Sequence, residues 1–65
     1  MLTDDFLRRE TKIAKAMNDD IFYKDFAEYL DITEHSFYNW LAGYYSLTRA
    51  NKKKLHDLLC DLVDE

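Results

Sequence analysis

The segment YKDFAEYLDITEHSFYNWLAG, residues 23–43, decides the fold. Apolar residues recur at helical spacing on both sides of a short break at Asp31 and Ile32, so the pattern predicts two short helices joined by a tight turn. Thr33 is a suitable N-cap for the second of these helices, and Gly43 supplies the left-handed residue that ends it. The segment therefore predicts a helix-turn-helix unit.

The inner faces of these two helices follow from the same spacing. The first helix is expected to begin around Asp19 or Asp20, because either residue can cap it. Its predicted inner residues are Phe22, Phe26, Ala27 and Leu30. The predicted inner residues of the second helix are Phe37, Trp40 and Leu41.

One further helix is expected on each side of this unit. The earlier one opens after the N-cap Thr3 and ends near Asn18, with Asp4 and Asp5 in the first turn, where the helix dipole favours anions. Its inner face is predicted to consist of Phe6, Ile13 and Met17. The last helix begins near Thr48, and its apolar face is predicted to consist of Leu55, Leu58, Leu59, Leu62 and Val63.

The composition agrees with one compact domain covering residues 1–65. The 65 residues are 48% hydrophobic and 34% charged, and they include one glycine and no proline. A chain of this length buries only about 60% of its unfolded surface, which leaves no room for a deep catalytic cleft, so no enzymatic activity is expected. The sequence predicts an all-α bundle of four to five helices. Its predicted core consists of Phe6, Ile13, Phe26, Ala27, Leu30, Ile32, Phe37, Trp40, Leu41, Leu55, Leu58 and Leu62.

Nothing in the sequence indicates a membrane segment, a disulfide or a cofactor. The apolar runs are only a few residues long, and the single cysteine, Cys60, cannot close a bridge within the chain. A cytoplasmic protein is therefore expected. His56 and Cys60 are four residues apart, but no second pair of ligands has matching spacing, so no metal site is predicted.

Residues 23–42 resemble the helix-turn-helix unit of the Cro/CI (Xre-like) repressors of phages and bacteria. That unit has a small residue where its two helices cross, apolar residues beside it and after the turn, two inward residues in the second helix and a closing glycine. The matching positions are Ala27, Phe26, Leu30, Ile32, Phe37, Trp40 and Gly43. The resemblance implies a lambda repressor-like fold and a transcriptional regulator that binds double-stranded DNA as a homodimer.

Two positions depart from the family pattern. Asp31 stands in the turn where the family usually has glycine, because the backbone there adopts positive φ; aspartate tolerates this region better than most residues. Tyr23 stands where many members carry a glutamine that anchors the helix to a DNA phosphate.

The resemblance also implies that a recognition helix, about residues 34–42, enters the major groove. Its outward residues are the candidates for base contact: Thr33, Glu34, His35, Ser36, Tyr38 and Asn39. Among them, Asn39 has the amide geometry that pairs with an adenine edge, and Glu34 can accept from a cytosine amino group.

The charge pattern decides where DNA phosphates can be held. The net charge is -4, and residues 19–34 contain six carboxylates and one lysine, whereas residues 49–56 contain four cations and no carboxylate. The phosphate-contact candidates therefore centre on the later block and are Lys24, Tyr23, Tyr44, Tyr45, Ser46, Arg49, Lys52, Lys53 and Lys54.

An acidic module of the same fold that binds a protein instead of DNA is the alternative. Tyrosine is a favoured interface residue, and an outward surface with Glu34, Tyr38, Tyr44 and Tyr45 suits a basic protein partner, as in an antirepressor or another phage-type inhibitor. Self-association is expected from the last helix, whose face of Leu58, Leu59, Leu62 and Val63 is wider than one small core requires.

Overall fold

Four helices make up the fold in the computed structural model, which describes residues 2–63. They are α1 (Asp4–Met17), α2 (Tyr23–Leu30), α3 (Glu34–Leu41) and α4 (Arg49–Val63), and the described residues contain no strand. The prediction of an all-helical chain is confirmed. The radius of gyration of 10.7 Å is that of a compact chain of this length.

The helix ends lie largely where capping residues predict them. The Thr3 hydroxyl accepts a hydrogen bond from the Phe6 N–H at 3.1 Å, and α1 ends at Met17 with Asn18 as its C-cap, close to the predicted end. Thr48 caps α4 in the same way by accepting from the Asn51 N–H at 3.1 Å. These contacts satisfy backbone donors that would otherwise lack partners in the first helical turn.

The predicted start of the second helix is wrong. Asp19 and Asp20 lie in a turn after α1, and α2 begins only at Tyr23. The cap comes from within the helix, because the Asp25 carboxylate accepts from the Phe22 N–H at 2.9 Å. An acidic side chain that the sequence suggests as surface charge is therefore used to start α2.

The turn between α2 and α3 has the predicted backbone conformation. Asp31 has φ 60° and ψ 43°, in the left-handed region, and the Ile32 N–H then donates to the Ala27 carbonyl at 3.0 Å. Gly43, with φ 93°, follows α3 as predicted. Both positive-φ positions thus fall at residues that tolerate them.

The core is correctly predicted around α2 and α3 but wrongly on α1. Phe6, Ile13 and Met17 are 38%, 40% and 56% exposed. The face that packs inward instead holds the buried residues Leu7, Thr11 and Ala14. Thr11 tolerates burial because its hydroxyl donates to the Leu7 carbonyl at 2.7 Å, so a polar residue occupies a core position.

Two residues outside α1 also differ from the predicted core. Phe22 is exposed rather than inward, while Leu47, in the loop before α4, is buried without having been predicted. The fully or nearly buried apolar residues are Leu7, Ala14, Phe26, Ala27, Leu30, Phe37, Trp40, Leu47, Leu55 and Leu59. The remaining predicted core residues are partly buried against this set and are Ile32, Leu41, Leu58 and Leu62.

The apolar face of α4 is used within the chain. Leu55 and Leu59 are buried, and Leu58 and Leu62 pack against the core. The side chain of Val63, predicted for the same face, lies outside the described residues. Part of the predicted apolar face is therefore used where α4 packs against α1 and α2, while Leu58 and Leu62 remain partly exposed. Self-association through this face stays a prediction.

Candidate nucleic-acid interface

The outward surface of α3 is held in place by aromatic packing on its inner side. The Phe37 ring stacks on Phe26 with centroids 5.7 Å apart and planes 3° apart, and it contacts the Trp40 ring at 5.3 Å. Both Phe37 and Trp40 are fully buried. Because these anchors fix the rotation of α3 about its axis, they also fix which residues face outward.

The outward residues of α3 fall into two groups. Glu34, His35 and Tyr38 are exposed, and Asn39 is half-buried at the edge of the same surface. Thr33 and Ser36 serve the helix start, because the Thr33 hydroxyl accepts from the Ser36 N–H at 3.0 Å and contacts the Ser36 hydroxyl at 2.9 Å.

A carboxylate from α1 fastens the end of α3 and the following loop. One Asp4 oxygen accepts from the Trp40 indole N–H at 2.9 Å and from the Leu47 N–H at 3.2 Å. The other oxygen lies 3.4 Å from the Lys52 ammonium on α4. Burial by itself raises the pKa of Asp4, but the hydrogen bonds from Trp40, Leu47 and Ser46 and the charge of Lys52 lower it to about 2.

Arg8, one helical turn after Asp4, holds the same region from the other side. Its Nε donates to the Trp40 carbonyl at 2.6 Å, and its Nη2 donates to the Tyr45 carbonyl at 3.0 Å. The guanidinium also lies over the Trp40 ring, 5.4 Å from the centroid, and pairs with Asp5. Neither side chain was identified from the sequence as part of this site. The feature of the sequence that could have pointed to them is a pair of charged residues four positions apart, next to the buried face of α1.

Acid is expected to destabilise the protein through Asp4. In the folded protein the pKa of Asp4 is about 2, below its ordinary value of 3.8. The ionised Asp4 therefore contributes fully to the free energy of unfolding above pH 3.8, and this contribution is lost as the pH falls through about 2. The difference between these two pKa values corresponds to about 2 kcal/mol of unfolding free energy at neutral pH. Urea unfolding between about pH 7 and pH 2 measures it, with Asp4→Asn as the comparison. An equally steep acid loss in Asp4→Asn would contradict this assignment.

The loop from α3 to α4 and the start of α4 carry most of the predicted phosphate contacts. Tyr44 is 80% exposed and Tyr45 is 37% exposed, so both rings are accessible beside α3. Arg49, Lys53 and Lys54 are also exposed, whereas Lys52 is occupied by Asp4. The structure thus leaves three of the four cations of this block without a carboxylate partner among the described residues.

Two of the grooves in the described part of the chain are lined by charged side chains. One, of about 620 Å³, is lined by Leu2, Arg49, Lys52, Lys53, His56 and Asp57. The other, of about 310 Å³, is lined by Lys15, Phe22, Tyr23, Lys24, Glu34 and Tyr38. No residue lines both. The second groove brings the predicted Tyr23 and Lys24 beside Glu34 and Tyr38 on the outward surface of α3, and it adds Lys15, which the sequence analysis did not single out.

His56 and Cys60 face each other on α4, with Sγ and Nε2 3.8 Å apart. Within residues 2–63, no group of three or more potential metal ligands lies together.

Comparisons with known proteins supply no family. No protein-family model, curated protein or solved structure matches the chain. Among the helices that the structure describes, none has the length and apolar character needed to cross a bilayer.

Proposed function

We propose that the protein is a helix-turn-helix regulator of the lambda repressor-like class, which binds specific sequences in double-stranded DNA. In this proposal α3 lies in the major groove, with Asn39, Glu34, His35 and Tyr38 toward the bases. The observation that carries the proposal is a short, exposed polar helix whose inner side is fixed by the buried Phe37 and Trp40.

The acidity of the α2–α3 segment is compatible with this function because several carboxylates have structural partners or positions. Asp25 caps α2, and Asp31 forms the left-handed turn. Asp4 and Asp5 on α1 are paired with Lys52 and Arg8. Four cations without such partners, in contrast, line grooves where a polyanion can reach them: Lys15, Lys24, Arg49 and Lys53.

A homodimer and a cytoplasmic location belong to the same proposal. Proteins that read DNA with one such helix bind two half-sites about 34–36 Å apart, which requires pairing. The α4 leucines lie in the core or pack against it. On α1, in contrast, the apolar side chains of Phe6, Ile13 and Met17 are exposed and are accessible for pairing.

Selection from random duplex DNA at about 150 mM salt tests the proposal, because non-specific attraction is substantially screened there. The native chain is expected to enrich one motif. Asn39→Ala is expected to relax the preference at one base pair by about 1–3 kcal/mol while leaving the salt dependence nearly unchanged. A folded native sample that enriches no motif would overturn the proposal.

Binding to a basic protein is the second candidate, and the exposed aromatic surface favours it. Tyr38 is 47% exposed and Tyr44 is 80% exposed, and Glu34 lies beside Tyr38 in the same groove. If no DNA motif is enriched, this candidate expects the native chain to capture one basic partner, and a Glu34→Gln, Tyr38→Ala variant to lose it.

A further inference from the structure

The groove of about 310 Å³ beside α2 and α3 has a lining whose net charge is opposite in sign to that of the whole protein. Lys15 from α1 and Lys24 from α2 face a single carboxylate, Glu34, across walls formed by aromatic side chains. The protein as a whole has a net charge of -4. This local excess of positive charge lies directly beside the outward face of α3, since Glu34 and Tyr38 belong to both.

The Lys15 ammonium is held at the groove by aromatic rings and not by a carboxylate. Its Nζ lies 5.6 Å from the Phe22 ring centroid and 6.0 Å from the Tyr23 ring centroid. Among the described residues, no carboxylate lies within ion-pair distance of it; the pairs present are those of Arg8 and Lys52. The aromatic rings therefore hold the cation at the groove without cancelling its charge.

We infer that this groove holds a phosphate of the DNA backbone, with Lys15 as a contact that reaches it from α1. The inference rests on the proposed function, and it adds a third element of the fold to the two that the helix-turn-helix resemblance supplies. Lys15 would fix the position of α3 along the groove without reading a base.

The walls of the groove suit this role. Tyr23 is in contact with Tyr38, their rings forming an edge-on pair at 5.8 Å, so the two hydroxyl-bearing rings are held together at the groove. Burial raises the pKa of the Tyr23 hydroxyl, and the neighbouring Tyr38 raises it further, so the hydroxyl remains a hydrogen-bond donor at neutral pH. Glu34 is the carboxylate in the lining, and the Asp25 carboxylate lies next to the groove on the Phe22 N–H; both are unfavourable for a phosphate.

The test compares Lys15→Gln with Lys12→Gln, which removes the same charge from an exposed position on the same helix. The probe is a labelled mixed-sequence duplex of about 20 base pairs, titrated between about 50 and 200 mM salt. Lys15→Gln is expected to lower the slope of log K against log salt by about 0.9 and to weaken binding roughly eightfold near 0.1 M salt. Lys12→Gln is expected to leave the slope unchanged, and the thermal unfolding of both variants shows whether they are folded.

The outcomes separate this contact from the function on which it rests. If the native chain binds the duplex and the two variants have the same slope and affinity, the Lys15 contact is wrong and the proposed function stands. If the native chain does not bind the duplex at about 50 mM salt, both are overturned. Recovery of the slope by Lys15→Arg would support the contact, because only the charge is restored.

Discussion

Trp40→Ala is expected to remove a large part of the free energy of unfolding of the protein at room temperature. Removing a fully buried tryptophan costs about 3–5 kcal/mol, and a chain of this length has a total stability of about 3–10 kcal/mol. The loss here is at the upper end, because the substitution also removes the indole donor to Asp4 and the ring beneath Arg8. These contacts join α1 to the end of α3.

Urea unfolding followed by circular dichroism measures this effect, with Tyr38→Ala as the matched control. Tyr38 is an aromatic residue on the same helix but is 47% exposed, so its removal is expected to cost less than about 1 kcal/mol. An unchanged urea midpoint for Trp40→Ala would contradict the placement of Trp40 at the centre of the core.

The sequence predicts the structure well where one residue type is required by local geometry. Thr3 and Thr33 each accept a backbone hydrogen bond at a helix start, as predicted for N-caps, and Thr48 does the same close to the predicted start of the last helix. Asp31 and Gly43 adopt the positive φ that their turn positions need. These predictions succeed because they depend on neighbours in the chain and not on packing.

The prediction fails where tertiary packing chooses between two possible faces. On α1, Phe6 and Ile13 form a more apolar stripe than Thr11 and Ala14, yet the second pair packs inward. Thr11 can be buried because its hydroxyl bonds to its own helix, and a hydrophobicity pattern does not reveal this. The candidate site shows the same limit, because Asp4 and Arg8 lie more than thirty residues in sequence from Trp40, and only the fold brings them together.

Under the proposed function, replacing Lys53 and Lys54 with glutamine is expected to weaken binding to every DNA sequence. Both side chains are exposed at the start of α4, where no described carboxylate pairs with them. If each contacts one phosphate, the salt slope falls by about 1.8 and affinity near 0.1 M salt falls roughly sixtyfold. Lys52 is left in place because its ion pair with Asp4 contributes to the fold.

The matched control is Arg9→Gln with Lys12→Gln, which removes two exposed cations from α1. Comparable losses in the two double variants would show that net charge alone governs binding. If the ligand is a basic protein, removing Lys53 and Lys54 is expected to leave binding unchanged or to strengthen it, since like charges no longer repel.

Mapping the proposed DNA-binding surface residue by residue tests the proposed function most directly. Nuclear magnetic resonance of the isotopically labelled chain, titrated with a duplex that carries the selected motif, maps that surface residue by residue. The largest amide shifts are expected at residues 34–39, at Lys15 and Lys24 and at Lys53 and Lys54, with little change at Phe6 or Ile13 on the far stripe of α1. Shifts confined to that stripe, or no shifts from a folded sample, would contradict the assignment of α3 as the recognition helix.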